Sequence, residues 1–311
     1  MIKIITENSD RSGNEIIEYL ISNNANFERI DCDNFSEYTS IISNEIQPEK
    51  DVVWIRRGSR QLNPNELLNY PFSYYIWKES DIVNKFYEKI NKGNKNYFGD
   101  FIEEDQHNKL YDLYLAKECG FKIPETLITN KKKDVISFKE KHGKIITKSI
   151  KDIIRFKTEE FIYMSQGTCI VENFHLDELH DYFVVSKFQQ YIEKEVEIRT
   201  FYFDDSFFAM AIFSQNDEKT KIDFRNYNSE KQNRCIAFNL PKKIIQKLRK
   251  FLKHKKIDTC SIDLILTPEN EFVFLEINPQ GQFNWVSRNC NYHIEKFIAE
   301  KLIDYEKTSQ K

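Results

Sequence analysis

The spacing of apolar residues changes its period along the chain, and those changes outline the fold. In the first hundred residues, apolar runs at 2–6, 27–31 and 52–56 read as strands. Between them, 13–22 puts Ile16, Ile17, Leu20 and Ile21 on one side of a helix, and 74–90 forms a longer amphipathic helix. This alternation predicts a small parallel sheet with helices on its faces. A polar stretch, Glu103-Glu104-Asp105, leads into a helix at 107–119 that Gly120 stops. After Pro124 the run 125–129 is extended, and Asn130 is placed to cap a helix reaching about 141. Strand-like runs follow at 144–149, 161–164 and 168–171. From Phe183 the pattern turns strongly β, at 183–188, 198–203 and 207–213. A helix at 241–254 carries the stripe Ile244, Ile245, Leu248, Phe251 and Leu252. A hairpin of 261–266 and 271–278 then turns over Thr267-Pro268-Glu269-Asn270, and 291–305 is helical. The pattern is α/β, or α+β, with expected units at 1–100, 101–185 and 186–311.

Composition narrows the class. A chain of 311 residues with 40% apolar and 14% aromatic residues can bury a core, most naturally as two or three packed units. Net charge is −3 with both signs mixed throughout, so no footprint for nucleic acid is expected. The basic runs Lys131-Lys132-Lys133 and His254-Lys255-Lys256 read as solvated helix faces. No apolar stretch has membrane-spanning length, and the first residues read as a strand rather than a signal peptide. Cysteines 32, 119, 169, 235, 260 and 290 are scattered without a CxxC pair, which excludes a zinc ribbon and suits a reducing cytoplasm.

Candidate chemistry concentrates in the late hairpin, SIDLILTPENEFVFLEINPQGQF at 261–283. Strand side chains alternate, so Glu276 and Asn278 share a face. A four-residue turn pairs Leu266 with Glu271, which sets Asp263 opposite Phe274 and diagonal to Glu276. Diagonal neighbours lie roughly 7–8 Å apart, room for one or two ions, and a slip of one residue would undo the arrangement. Two carboxylates and an amide, with no His or Cys, favour Mg²⁺ or Mn²⁺ over zinc. The alternative makes Asp263 and Glu276 solvent-facing residues of the hairpin. Phe272, Val273, Phe274, Leu275 and Ile277 weigh against it, because they mark both faces as buried.

The D…E-x-N hairpin resembles the metal site of the ATP-grasp ligases, and further matches run through the chain in order. Asn108-Lys109-Leu110 resembles the first nucleotide-binding lysine, and Lys148 in IITKS the second, which contacts phosphate. Gln189, Gln190, Tyr191 and Ile192 resemble the hinge that holds adenine through backbone groups. Glu197-Ile198-Arg199 is similar to an element whose acid lies near ribose and whose Arg reaches the γ-phosphate. Asp223-Phe224-Arg225-Asn226 is similar to a later arginine segment facing phosphate and the acceptor site. Within the fold, VVWIRRG (52–58), IWKES (76–80), KIDFR (221–225) and EINPQGQFNW (276–285) resemble the graspetide maturases, the microviridin-type and grasp-with-spasm macrocyclases. Each motif alone is weak; the ordered set is specific. One departure is that 150–165 lacks the glycines of the usual phosphate-covering loop.

The resemblance implies an N-terminal pre-ATP-grasp α/β domain ahead of two ATP-grasp subdomains, and a homodimer. It implies use of ATP and Mg²⁺ on a ribosomal precursor peptide of leader plus core. An Asp or Glu carboxylate would be activated as an acyl phosphate and joined to Ser/Thr as an ester or to Lys as an amide. Arg199 and Arg225 take the catalytic roles, and Asp223 is either a general base or a surface aspartate. Other readings stand beside these. Lys148 could guard an edge strand, and Arg199 could pair with Glu197 or Glu195. Arg56 and Arg57 could face substrate or solvent, while Trp54, Trp77 and Trp285 suit a core. Asp204-Asp205 or Asp217-Glu218 could mark the leader surface. The rival functions are a ligase adding amino acids to a small molecule or protein tail, and a non-catalytic scaffold.

Overall fold

The computed structural model describes residues 1–31, 47–57, 72–151, 155–158, 160–164, 167–226, 230 and 232–309. Strands β1 (Ile2–Thr6), β2 (Phe27–Asp31), β3 (Val52–Ile55) and β4 (Tyr97–Phe98) form a parallel sheet in the order β2-β1-β3-β4. The inner strands β1 and β3 carry buried apolar residues on both faces, as a covered parallel sheet requires. Ile2, Ile4, Val52 and Trp54 enter one cluster with Ile16 and Leu20 of helix α1 (Arg11–Ser22). Ile5, Val53 and Ile55 enter another with Tyr97 and Phe101, against which Tyr87 of α2 (Ser73–Asn91) packs.

The polar stretch at 103–105 is part of a helix, α3 (Phe101–Gln106), because Asp100 caps it by accepting from Glu103 N at 2.9 Å. Helix α4 (Lys109–Glu118) follows, capped by Asn108. The middle of the chain supplies β5 (Thr126–Lys131), α5 (Lys132–His142), β6 (Ile145–Lys148), β7 (Arg155–Lys157), β8 (Ile162–Met164), β9 (Cys169–Ile170), α6 (Asn173–Glu178) and β10 (Tyr182–Gln190). Its antiparallel sheet runs β5-β10-β6-β9, with β7 and β8 forming a separate hairpin. Asn130 does not cap α5 as expected. It lies inside β5, whose pairing with β10 carries the strand on to Lys131.

The third sheet takes the order β13-β12-β11-β14-β15 from β11 (Val196–Phe203), β12 (Ser206–Ile212), β13 (Cys235–Phe238), β14 (Thr259–Leu266) and β15 (Phe272–Asn278). On one face lie α4 and α7 (Lys242–Lys255), through Leu113, Ala116, Leu248 and Phe251 against Leu264 and Phe274. On the other face Phe201, Phe203 and Met210 join the cluster of the N-terminal sheet. The helix expected at 291–305 starts at Ile294, and a short helix that was not expected precedes it. Asn291 (φ 54°) and His293 (φ 53°) leave the helical region, so α8 (Asn284–Cys290) ends before α9 (Ile294–Ser309) begins. Ile298 and Leu302 of α9 cover the first sheet. No helix among the described residues is long and apolar enough to cross a membrane.

Glu88 of α2 is almost fully buried and accepts from Tyr97 Oη at 3.1 Å. Burial, then the nearby Asp100 and Asp258 carboxylates, push its carboxyl up to about 8. A carboxyl ionising near 4.5 unfolded and near 8 folded takes stability away as pH rises between those values. Glu88→Gln is therefore expected to raise the thermal midpoint at pH 8.5 by several degrees, on the order of 2 kcal/mol. The gain should vanish at pH 4.5; thermal melts of parent and variant at both pH values check it.

Candidate active site

The hairpin carries the acidic residues, and its geometry differs from the expected register. Five residues, 267–271, connect β14 to β15; Asn270 N donates to Thr267 O at 2.9 Å and Thr267 N to Glu271 O at 3.0 Å. Leu266 therefore pairs with Phe272 instead of Glu271. That one-residue shift alone would have separated Asp263 and Glu276 onto opposite faces. A bulge at Leu275 adds a second residue and restores the parity. Asp263 thus stands directly opposite Glu276, not diagonal to it, and Asn278 opposite Ser261. Directly opposed residues have Cβ atoms roughly 4.5–5.5 Å apart. Both carboxylates are buried, at 8% and 9% exposure, so the solvent-facing alternative is excluded.

Cationic side chains arrive from four other elements. Arg199 pairs with Asp263 in the β11–β14 register, Nη1 to Oδ2 2.8 Å, and not with Glu197 or Glu195. Lys109, the first residue of α4, has its Nζ 3.7 Å from Glu276 Oε2. Lys148 Nζ is 3.8 Å from the same oxygen. Its strand lies between β10 and β9, so Lys148 is not an edge-strand guard. Arg225 Nη1 is 3.5 Å from Glu276 Oε1. Burial alone would raise the Glu276 carboxyl, but Lys148, Lys109 and Arg225 outweigh it and hold the group ionised below the usual range.

Asp223 is neither a surface aspartate nor a good base. It is buried, accepts from Arg225 Nε at 2.8 Å, Arg225 Nη2 at 2.9 Å and Thr168 Oγ1 at 2.9 Å, and so braces the guanidinium. Burial opposes ionisation there, yet the bonds from Arg225 bring the carboxyl down to about 2. Lys187 escaped the sequence reading. It sits at 3% exposure opposite Lys148 across β10 and β6, and burial followed by the Lys148 charge lowers its ammonium to about 7. The available signal was alternation along β10, which puts Lys187 on the same face as Gln189. Lys109, Lys148, Lys187, Arg199 and Arg225 against Asp223, Asp263 and Glu276 leave a surplus of basic groups, an environment for a polyanion.

Two openings meet at these residues. A narrow recess of about 60 Å³ runs between Ile146, Gln189, Ile192, Ile222 and Leu275. A wider cleft of about 590 Å³ is bounded by Lys109, Arg199, Asn278 and Trp285. Lys148, Thr168, Phe224, Arg225 and Glu276 line both. At the recess, Gln190 N donates to Glu125 O at 2.9 Å and Tyr191 N to Lys144 O at 3.0 Å. Buried Gln189 donates to Thr126 Oγ1 at 2.9 Å. Glu197 accepts from Lys194 Nζ and Ser214 Oγ, each at 2.7 Å; burial raises its carboxyl in spite of both.

The remaining expected residues are placed as follows. Trp54 is core, and Trp285 stacks on Phe224 with ring centroids 5.6 Å apart at the cleft wall. Arg56 is buried at 3% exposure rather than facing substrate or solvent. Asp204 and Asp205 are held by Tyr305, Lys301 and Arg249, and Asp217 accepts from Lys219 N. The span at 150–165 carries the β7–β8 hairpin; its residues 152–154, 159 and 165 lie outside the described residues, as do Cys32, Gly58 and the Trp77 side chain.

The donor set fits a hard divalent cation. Asp263, Glu276 and the Asn278 amide offer oxygen only, and both carboxylates are already compensated by positive charge. Among the described residues no group of three or more His, Cys, Asp or Glu side chains could hold a metal, and Asn278, on the same face of β15 as Glu276, is the amide that would complete the set.

No protein-family model matches the chain, and no curated protein does. Solved structures match over nearly the whole length. A RiPP-associated ATP-grasp ligase of Chryseobacterium gregarium, in complex with ADP and a leader and core peptide, superposes with a TM-score of 0.81 at 25% identity, over 97% of this chain and 95% of that one. The macrocyclase MdnC of Microcystis aeruginosa MRC, bound to precursor peptide MdnA, gives 0.77 at 24% identity over 98% and 99%. The ATP-grasp ligase PsnB, complexed with a minimal precursor variant, Mg and ADP, gives 0.79 at 16% identity over 98% and 98%; at these two identities the likeness is one of fold. The fold is ATP-grasp, and the protein is an ATP-dependent ligase of that class. Within the class it is similar to the ligases and macrocyclases of ribosomal peptide maturation, as the order of its motifs implied.

Asp223→Asn leaves Arg225 with a neutral brace. The variant is expected to bind inorganic triphosphate about tenfold more weakly, the loss of one charge-assisted contact, and to melt a few degrees lower at neutral pH, because a carboxylate held at about 2 stabilises the folded state there. Calorimetric titration checks this; unchanged affinity would mean that Arg225 needs no support from Asp223.

Proposed function

We propose that the protein is a peptide macrocyclase acting in the cytoplasm. In this reading ATP converts an Asp or Glu side chain of a bound precursor into an acyl phosphate, and a Ser/Thr hydroxyl or Lys amine of the same peptide displaces the phosphate. One observation carries the reading: the recess and the cleft share a floor of Glu276, Lys148 and Arg225. A nucleotide entering from one side and a peptide from the other would meet over those groups. The likeness to a ligase in complex with ADP, leader and core supports a site that takes a nucleotide and a peptide together.

The chain's own groups divide the work. Gln190 and Tyr191 have their N–H groups engaged within the protein, so a hinge N–H donated to adenine would be that of Ile192. Glu197, fixed by Lys194 and Ser214, borders the recess where ribose would lie. Lys109, Lys148 and Arg199 surround the phosphates with fixed positive charge. Asp263, Glu276 and Asn278 would hold Mg²⁺, or Mn²⁺ in its place, and the ion would neutralise charge on the phosphate oxygens. Arg225, aimed by Asp223, holds the peptide carboxylate or steadies the tetrahedral intermediate. The rate then comes largely from positioning, since both reacting side chains belong to one bound substrate. The units 1–100, 101–185 and 186–311 are assigned as the pre-ATP-grasp domain, the central subdomain and the subdomain bearing the metal residues. A homodimer belongs to the same reading.

Incubation of the protein with Mg-ATP and a candidate precursor tests the assignment. Mass spectrometry should find the loss of one water per ring, with ADP formed alongside. A mass gain would instead favour a ligase that adds amino acids, and no ADP at all would favour a scaffold. Asp263→Asn and Glu276→Gln are each expected to abolish turnover while circular dichroism stays that of the parent. Turnover retained in both contradicts the metal assignment.

A further inference from the structure

Arg56 lies at the end of β3, in the N-terminal unit, and reaches across to the turn that follows Asn278. Its Nη1 donates to Gln280 O at 2.5 Å and to Gly281 O at 2.7 Å. Its Nε donates to Asp10 Oδ2 at 3.0 Å, and its guanidinium carbon sits 5.0 Å from the centre of the Phe283 ring. Burying a guanidinium is expensive unless its donors are met. Here the counter-charge is Asp10, which also caps α1 through Gly13 N and accepts from Thr6 Oγ1.

The turn is held from both sides. Within it, Asn278 Oδ1 accepts from Gln280 N at 3.1 Å and Asn278 O accepts from Gly281 N at 3.0 Å. Gly281 has φ 56°, and a Cβ there would come within 2.9 Å of the Phe201 ring, so the chain passes close to the core. From outside, Arg56 takes the two consecutive carbonyls. Past the turn, Asn284 contacts Ser12 and donates to Glu15 Oε2 at 2.6 Å, and Arg288 also contacts Glu15. The N-terminal unit is thus bonded to the segment that begins at Asn278.

We propose that Arg56 is a positioning residue for the cation site: by gripping the Gln280 and Gly281 carbonyls it fixes the turn that aims Asn278. Divalent-cation affinity then depends on a side chain that touches neither cation nor nucleotide. The inference rests on Asn278 being a ligand, the reading given above. Residues that orient metal ligands typically matter about tenfold or more in affinity.

The test measures binding of Mn²⁺ in the presence of ADP by electron paramagnetic resonance, on full-length protein. Two variants are used. Arg56→Lys keeps the charge but cannot serve both carbonyls and Asp10. The double variant Asp10→Asn/Arg56→Gln removes both members of the ion pair, so Asp10 is not left as an unpaired buried carboxylate, and Asn still caps α1. Both are expected to weaken Mn²⁺ about tenfold, while the half-saturating peptide concentration in turnover assays stays that of the parent. A merely structural Arg56 would lower the thermal midpoint and leave Mn²⁺ affinity alone. Unchanged affinity in Arg56→Lys, or in a folded double variant, overturns the proposal. Asn278→Ala separates the two claims. If it weakens Mn²⁺ while the Arg56 variants do not, only the positioning role falls; if it too leaves affinity unchanged, the ligand reading fails and the proposal with it.

Discussion

The arrangement of the whole site depends on one face-to-face pair, Asp263 against Glu276, buried in the middle of a sheet. Two carboxylates at such range repel each other and resist burial. Positive charge surrounds them: Arg199 pairs with Asp263, and Lys148, Lys109 and Arg225 around Glu276 hold that carboxyl ionised against the cost of burial. Those cations come from β11, α4, β6 and the segment after Thr220, so the pair draws distant parts of the chain to one point. A ligand that carries both cation and polyanion can exchange with these contacts without leaving a charge uncompensated.

Each layer of packing serves that point. The cluster beneath α4 and α7 fixes the helix that begins with Lys109. Pairing of β10 with β6 sets Lys187 opposite Lys148. The N-terminal sheet has its own core, yet it also supplies Arg56 to the turn after Asn278. The three sheets contribute different things to the site: the first a tether, the second a pair of lysines and the hinge, and the third the acidic hairpin.

Much of this was legible in the sequence, because the hairpin's composition is unusual. Asp263, Glu276 and Asn278 stand out as polar residues within an apolar hairpin, and the helical stripe at 244–252 is clear. Their register was not legible. The connection is one residue longer than the turn chemistry suggested, and the bulge falls on Leu275, a residue with no turn or bulge signature. Two errors of one residue each changed a diagonal pair into an opposed one. Asn130 was misread because strand pairing overrode a local capping preference, and the last helix was begun three residues early, at Asn291, because Asn291 and His293 enter the left-handed region without a glycine to mark it. Lys187 was hidden in a β run where a lysine ordinarily faces solvent. Arg56 was undecidable because its carbonyl partners lie 224 and 225 residues away.

The most direct test of the central claim is anomalous diffraction at the manganese edge, from crystals grown with Mn²⁺ and a non-hydrolysable ATP analogue. The account predicts a peak bonded to oxygens of both Asp263 and Glu276, at about 2.0–2.2 Å as for a hard divalent cation, with the analogue's phosphates on its far side. A peak bound elsewhere, or carboxylates still held by Arg199 and Lys148 while the analogue is seated, would contradict it.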